Sequence, residues 1–177
     1  MKETRKKTKR LAFSAILCAL GVLMLLLGAI IDVLDLSVTA LASLLIVIAF
    51  LEFGSRWACL IYAATSLLAL LLLPNKFPAF IYAVFAGYYP ILKAYIERLP
   101  RIPAWSLKVI LFNAALTLLL YLSVSVFHLP DTGAAFTVLT YLSCNALFLL
   151  FDIALTRLIS LYLYRLRKQL GIGRFLE

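Results

Sequence analysis

One pattern recurs six times along this chain: a run of roughly twenty apolar residues, then a short polar connection. The runs extend from Leu11 to Ile31, Val38 to Phe53, Trp57 to Leu73, Phe77 to Ile96, Leu107 to Phe127 and Phe136 to about Leu158. A helix of ~20 residues covers the ~30 Å hydrocarbon core of a bilayer. No water reaches that core to satisfy backbone groups, so a spanning segment must bond to itself or close into a barrel. The connections DVLDLS, EFGSR, PNK, ERLPRIPAWS and HLPDTGAA are short, and most carry the Gly, Pro, Asn or Asp that turns require. The expected fold is an all-α membrane protein, a bundle of six transmembrane helices. It forms a single integral membrane domain over residues 1–177, with a basic tail at 1–10, the bundle at 11–168 and a second tail at 169–177.

Composition agrees, with 65% apolar and 14% charged residues, against about half apolar in soluble domains. The net charge of +9 does not point to nucleic acid, because the basic residues sit in clusters between apolar runs. There they record orientation, since cytoplasmic connections retain Lys and Arg. With six spans, sixteen of the seventeen fall on one side. These are six in the N-terminal tail, Arg56, the group Lys93, Arg98, Arg101 and Lys108, and five from Arg157 onward; only Lys76 falls on the other. Both termini are therefore expected in the cytoplasm. The first apolar run is too long for a secretory signal core and lacks an A-x-A exit, so it is read as the first helix. Cys18, Cys59 and Cys144 lie singly within spans and are read as small packing residues, not as a disulfide framework or metal site.

Helical periodicity divides the first span into three faces. Phe13, Leu20, Met24, Leu27 and Ile31 form a bulky face suited to lipid. Ser14, Cys18, Gly21, Gly28 and Asp32 form a small-residue face suited to packing within the bundle. Ala12, Ala15 and Ala19 form a third, whose AxxxA pattern at Ala15 and Ala19 permits close approach of another helix, inside the bundle or on a partner. In the fourth span, GYYPILKAYIERLP places a kink at Pro90, Tyr95 near the headgroups, and Lys93 and Glu97 four residues apart, read either as an interfacial exit with an exposed ion pair or as a basic, kinked cytoplasmic surface for a partner subunit.

The last two spans carry polar stripes: Asn113, Thr117, Tyr121, Ser125 and His128 on one, Tyr141, Asn145 and Asp152 on the other. Polar groups are costly against lipid, so both stripes are expected to face inward. They serve either as interhelical contacts or as the wall of an outward-opening pocket, with Tyr82 of the fourth span and the DVLDLS connection as a possible cover. Asp152 calls for a cationic partner, with Arg56 and Arg157 as candidates. A catalytic role finds little support. The single histidine, His128, stands at the outer mouth beside Leu129 and Pro130. No phosphate-binding glycine loop and no acidic cluster spaced for a metal is present. The chain is read as not an enzyme, with no cofactor and no metal. A lipid-modifying enzyme would instead need polar groups converging around Asp152, Arg56 and Lys93.

The basic N-terminus, the AxxxA pattern of the first helix, the short second and third helices and the long basic sixth helix ending in LYLYRLRKQL are similar in layout to one family. The chain resembles the S components, the substrate-binding membrane subunits, of energy-coupling factor (ECF) transporters of bacteria. The resemblance implies docking through Ala15 and Ala19 onto a membrane coupling subunit driven by two ATPases. It also implies a small water-soluble micronutrient, vitamin-like, held near the outer side by Tyr82, Tyr121, His128, Tyr141 and Asn145, in a bacterial cell membrane. The alternative is a structural or assembly protein of the bacterial cell envelope, with no transported ligand.

Overall fold

The computed structural model describes residues 2–31, 34–125 and 134–166, with side chains at 7–31, 34–122 and 138–164. Seven α-helices follow in order: α1 (Lys2–Ile30), α2 (Asp35–Phe53), α3 (Ser55–Leu72), α4 (Phe77–Ile81), α5 (Tyr89–Ile96), α6 (Arg101–Ser125) and α7 (Ala134–Leu161). A π turn at Tyr82–Ala86 links α4 to α5, and a second, Tyr162–Leu166, follows α7. No strand occurs among the described residues. Among the described residues six stretches are long and apolar enough to cross a membrane: Lys7–Ile30, Asp35–Phe53, Ser55–Leu72, Phe77–Ile96, Arg101–Leu122 and Val138–Tyr164. The chain is a multi-pass membrane protein, all-α, with the expected six spans. Contacts group it into two compact units, Met1–Ile91 with Leu155–Glu177, and Leu92–Ala154.

In the first unit α1, α2 and α3 pack on one another and on the α4 segment. The small face of α1 is the one buried: Ser14, Cys18, Gly21 and Gly28 all lie inside. A Cβ on Gly21 would stand 3.0 Å from Thr65 Cγ2 of α3, and one on Gly28 would stand 3.6 Å from Val38 Cβ of α2. Close approach of small surfaces is what holds membrane helices together, since lipid tails remove the hydrophobic incentive. Three hydroxyls in this interior find partners. Thr39 Oγ1 donates to Asp35 O at 2.6 Å, Ser43 Oγ to Ala40 O at 2.6 Å, and Thr65 Oγ1 to Cys18 Sγ at 3.4 Å. The back-bonding of Thr39 and Ser43, and the interhelical contact of Thr65, let these hydroxyls sit in an apolar span without an unmet donor.

The connections have identifiable chemistry. A single residue, Gly54, separates α2 from α3, and its φ of +84° lies in the region open to glycine. Lys76 donates from Nζ to Leu73 O at 2.6 Å and Leu71 O at 3.3 Å, capping the carbonyl end of α3. Asn75 Oδ1 accepts from Phe77 N at 3.0 Å, and Pro78 occupies the first turn of α4, where its missing N–H costs nothing.

The fourth span is broken one turn before the expected kink residue. The Gly87 amide donates to Tyr82 O, five residues back, at 2.8 Å. Pro90 has no N–H to offer the carbonyl four residues earlier, which disrupts the regular ladder here. Tyr62 of α3 fills in, its Oη donating to Ala83 O at 2.6 Å. It can approach because residue 87 has no side chain: a Cβ there would lie 2.5 Å from Tyr62 Cδ2 and 2.9 Å from Tyr82 Cε1. The Tyr82 and Tyr88 rings pack on Tyr62 at centroid distances of 6.1 and 6.2 Å.

Two boundaries depart from the sequence reading. Helix α1 continues through the basic tail to Lys2, whose Lys, Arg and Glu residues are good helix formers extending an existing helix. Helix α6 begins at Arg101 instead of Leu107. Pro103 lies in its first turn, where a proline is tolerated, and the Ala104 amide donates to Pro100 O at 3.1 Å.

Candidate functional site

The second unit is organised around polar contacts between α6 and α7. Lys108 meets Asp152, Asn113 meets Asn145, and Thr117 meets Tyr141, so numbers rise along α6 as they fall along α7 and the helices are antiparallel. Nine residues separate the first and last of these contacts along α6, about 14 Å at the helical rise. Phe112 and Phe148 stack beside the middle pair with ring centroids 4.4 Å apart.

At one end of this seam lies a four-charge cluster whose Glu97 is half-exposed. Lys93 of α5 pairs with Asp152 Oδ1, donates to Asp152 O at 2.9 Å and stands 3.1 Å from Glu97 Oε1. Lys108 of α6 donates to Glu97 Oε1 at 2.9 Å and to Asp152 Oδ2 and Oδ1 at 3.0 and 3.3 Å. Each ammonium has three N–H groups and each finds three acceptors, and the formal charges sum to zero. Lys93 is 1% exposed and Asp152 is 2% exposed. Isolated charges cannot be left in hydrocarbon without large cost, so mutual neutralisation is what makes this burial possible. The ring of Trp105 adds a cation–π contact, 5.1 Å from Lys108 Nζ.

Two expectations are corrected here. Asp152 is held by Lys93 and Lys108, whereas Arg56 and Arg157 are both exposed. The Lys93–Glu97 pair exists at the expected spacing, but Lys93 is buried within a network, not exposed at the surface. Lys93 and Lys108 looked like headgroup-level charges because each lies within a few residues of ERLPRIPAWS; the signal pointing inward was Asp152, a carboxylate in a span that needed cations at its own depth. Asp152 and Lys93 do converge, as an enzyme of the membrane interface would require, but their polar atoms are taken up by one another and by Lys108 and Glu97.

The middle of the seam is equally self-contained. Asn113 Nδ2 donates to Asn145 Oδ1 and Asn145 Nδ2 to Asn113 Oδ1, both at 3.0 Å. The remaining N–H of each amide goes to its own helix, to Val109 O and Tyr141 O at 2.9 and 2.8 Å. Thr117 Oγ1 and Tyr141 Oη are 2.8 Å apart. Asn113 and Thr117 of one stripe therefore meet Asn145 and Tyr141 of the other, with Asn113, Asn145 and Tyr141 half-buried and Thr117 exposed, while Tyr121 is exposed and departs from the expectation that the whole stripe faces inward.

The five candidate ligand residues are distributed as follows. Tyr82 lies in the first unit, 1% exposed and packed on Tyr62. Tyr141 and Asn145 belong to the seam of the second unit, and Tyr121, one turn beyond Thr117 on α6, is 68% exposed. His128 lies outside the described residues, as do Asp32 and Val33 of the DVLDLS connection. Ser125 ends α6, with its side chain outside the described set. On α1, Ala12, Ala15 and Ala19 are exposed, while the small face bearing Ser14 and Cys18 is buried.

Neither a known protein family nor any curated protein or solved structure matches the chain.

Proposed function

We propose that the chain is a non-enzymatic membrane subunit that joins a larger membrane complex through the alanine face of α1. The observation that carries this reading is the division of labour on that helix. Its Ser14, Cys18, Gly21 and Gly28 face is consumed by packing in the first unit, which leaves Ala15 and Ala19 exposed as a second surface of close helix approach. In its specific form the subunit is the substrate-binding component of an ECF-type importer. It resides in a bacterial cell membrane with both termini cytoplasmic, captures a small water-soluble micronutrient from outside and works with a coupling subunit and two ATPases. The layout of six spans and the free alanine pair support that form.

A second reading, an envelope assembly protein with no transported ligand, is favoured by a different observation. Asn145 and Tyr141, two of the residues expected to hold a nutrient, have their hydrogen bonds engaged by Asn113 and Thr117. Purification from native membranes, with mass spectrometry of accompanying subunits and bound small molecules, separates the two. The importer reading expects a membrane coupling subunit, its ATPases and a bound water-soluble compound; the assembly reading expects a membrane partner alone. Association that survives Ala15→Leu with Ala19→Leu contradicts docking through this face.

A further inference from the structure

The turn between α5 and α6 carries a surplus of positive charge. Only four residues, 97–100, separate α5 from α6, so the turn cannot project far beyond the ends of the two spans it joins. Glu97, its one acidic residue, is half-exposed and engages Lys93 and Lys108 through Oε1. Arg98 and Arg101 are exposed, and no carboxylate pairs with either among the described residues. The Arg98 guanidinium lies 5.1 Å from the Tyr95 ring centroid.

Large apolar side chains alternate with these arginines. Leu99, Ile102, Tyr95 and Trp105 are all exposed, Ile102 to 82%. A surface bathed by water alone would leave such groups stranded, whereas at the boundary of a bilayer the aliphatic chains reach the acyl region and Tyr and Trp sit at headgroup level. The anion nearest to an arginine at that depth is a lipid phosphate, which a guanidinium binds bidentately.

We propose that this turn is a binding surface for anionic phospholipid headgroups, with Arg98 and Arg101 as the phosphate ligands and Tyr95, Leu99, Ile102 and Trp105 as the apolar contacts around them. The interior cluster contributes by setting Glu97 Oε1 against the two ammonium groups of Lys93 and Lys108, so that its charge is offset there and not by the arginines. The inference is independent of whether the subunit transports a nutrient.

The test uses the full chain reconstituted in vesicles of equal parts phosphatidylglycerol and phosphatidylcholine, with retained lipids counted by native mass spectrometry. Wild type is expected to retain phosphatidylglycerol preferentially. The preference should fall roughly fivefold for each of Arg98→Gln and Arg101→Gln, the effect of one basic residue at an anionic surface. Arg98→Lys with Arg101→Lys, which preserves the charge, should keep most of it. Equal retention of the two lipids by wild type, or an unchanged preference in the double glutamine variant, overturns the proposal. So does a double variant that loses an acidic protein partner while its lipid preference stays intact, which would assign the surface to protein.

Discussion

Asn113 and Asn145 exchange hydrogen bonds across α6 and α7, each side-chain amide donating to the other's carbonyl oxygen at 3.0 Å. With their second N–H groups bonded to Val109 O and Tyr141 O, neither amide has a donor left over. The pair fixes the register of α6 against α7, because a slip by one residue would break both bonds together. Interhelical hydrogen bonds in membranes average ~0.6 kcal/mol, so Asn145→Ala is expected to cost about 1 kcal/mol for the two. Asn113→Ala added to it should cost little more. A double-mutant cycle on thermal unfolding in detergent measures this; additive losses would deny the coupling.

The four-charge cluster is expected to be the most sensitive point of the second unit. Asp152→Asn leaves two buried ammonium groups to share the single half-exposed carboxylate of Glu97. Removing one partner of a buried ion network costs about 3–5 kcal/mol. Replacing all four charges by neutral residues of similar size, with Lys93 and Lys108 as Met, Glu97 as Gln and Asp152 as Asn, should recover most of that loss. Thermal stability in detergent reads both. A stable Asp152→Asn protein would mean that the lysines find counter-charge elsewhere.

Gly87 and Tyr62 should prove energetically coupled. The ring of Tyr62 occupies the space that a side chain at 87 would need, and its hydroxyl satisfies Ala83 O. Gly87→Ala is expected to cost about 1–3 kcal/mol through overpacking, and Tyr62→Phe about 1 kcal/mol through the lost hydrogen bond. In a Tyr62→Ala background the alanine at 87 should be tolerated far better. Equal cost in both backgrounds would show that the ring is not what excludes it.

The one-residue connection at Gly54 makes a separate prediction. Nothing within 4 Å would clash with a side chain there, so any cost of Gly54→Ala comes from the backbone alone. With φ +84° and ψ 178° the residue lies in a region that is essentially glycine's alone, which costs any other residue on the order of 1–3 kcal/mol. Asn, whose tolerance is for the left-handed helical region and not for this one, should lose about as much as Ala; an Ala variant as stable as wild type contradicts the assignment.

The positions of the six spans could be read from sequence because hydropathy is a local property, and the faces of α1 could be read because 3.6-residue periodicity is local too. The partner of Asp152 was not readable in this way, since it depends on which helices adjoin. Lys93 and Lys108, counted beside Arg98 and Arg101 as charges of one connection, are buried among carboxylates instead. Setting them aside leaves fourteen basic residues on the side proposed to be cytoplasmic against Lys76 on the other. The sequence also indicated both polar stripes but not that each would be the other's partner. Pro90 signalled a break in the fourth span, while the contribution of Tyr62 needed the third dimension, being an aromatic residue of another helix, twenty-one positions away from the carbonyl it serves.

The proposal that α1 docks onto another membrane protein is tested most directly by site-specific photo-crosslinking in native membranes. A photoreactive residue is placed at Ala19 and, for comparison, at Leu27, which is exposed on the bulky face of the same helix. The account predicts a discrete protein adduct from position 19, lost when Ala15 becomes Leu, and lipid adducts from position 27. Lipid adducts alone from both positions would contradict it.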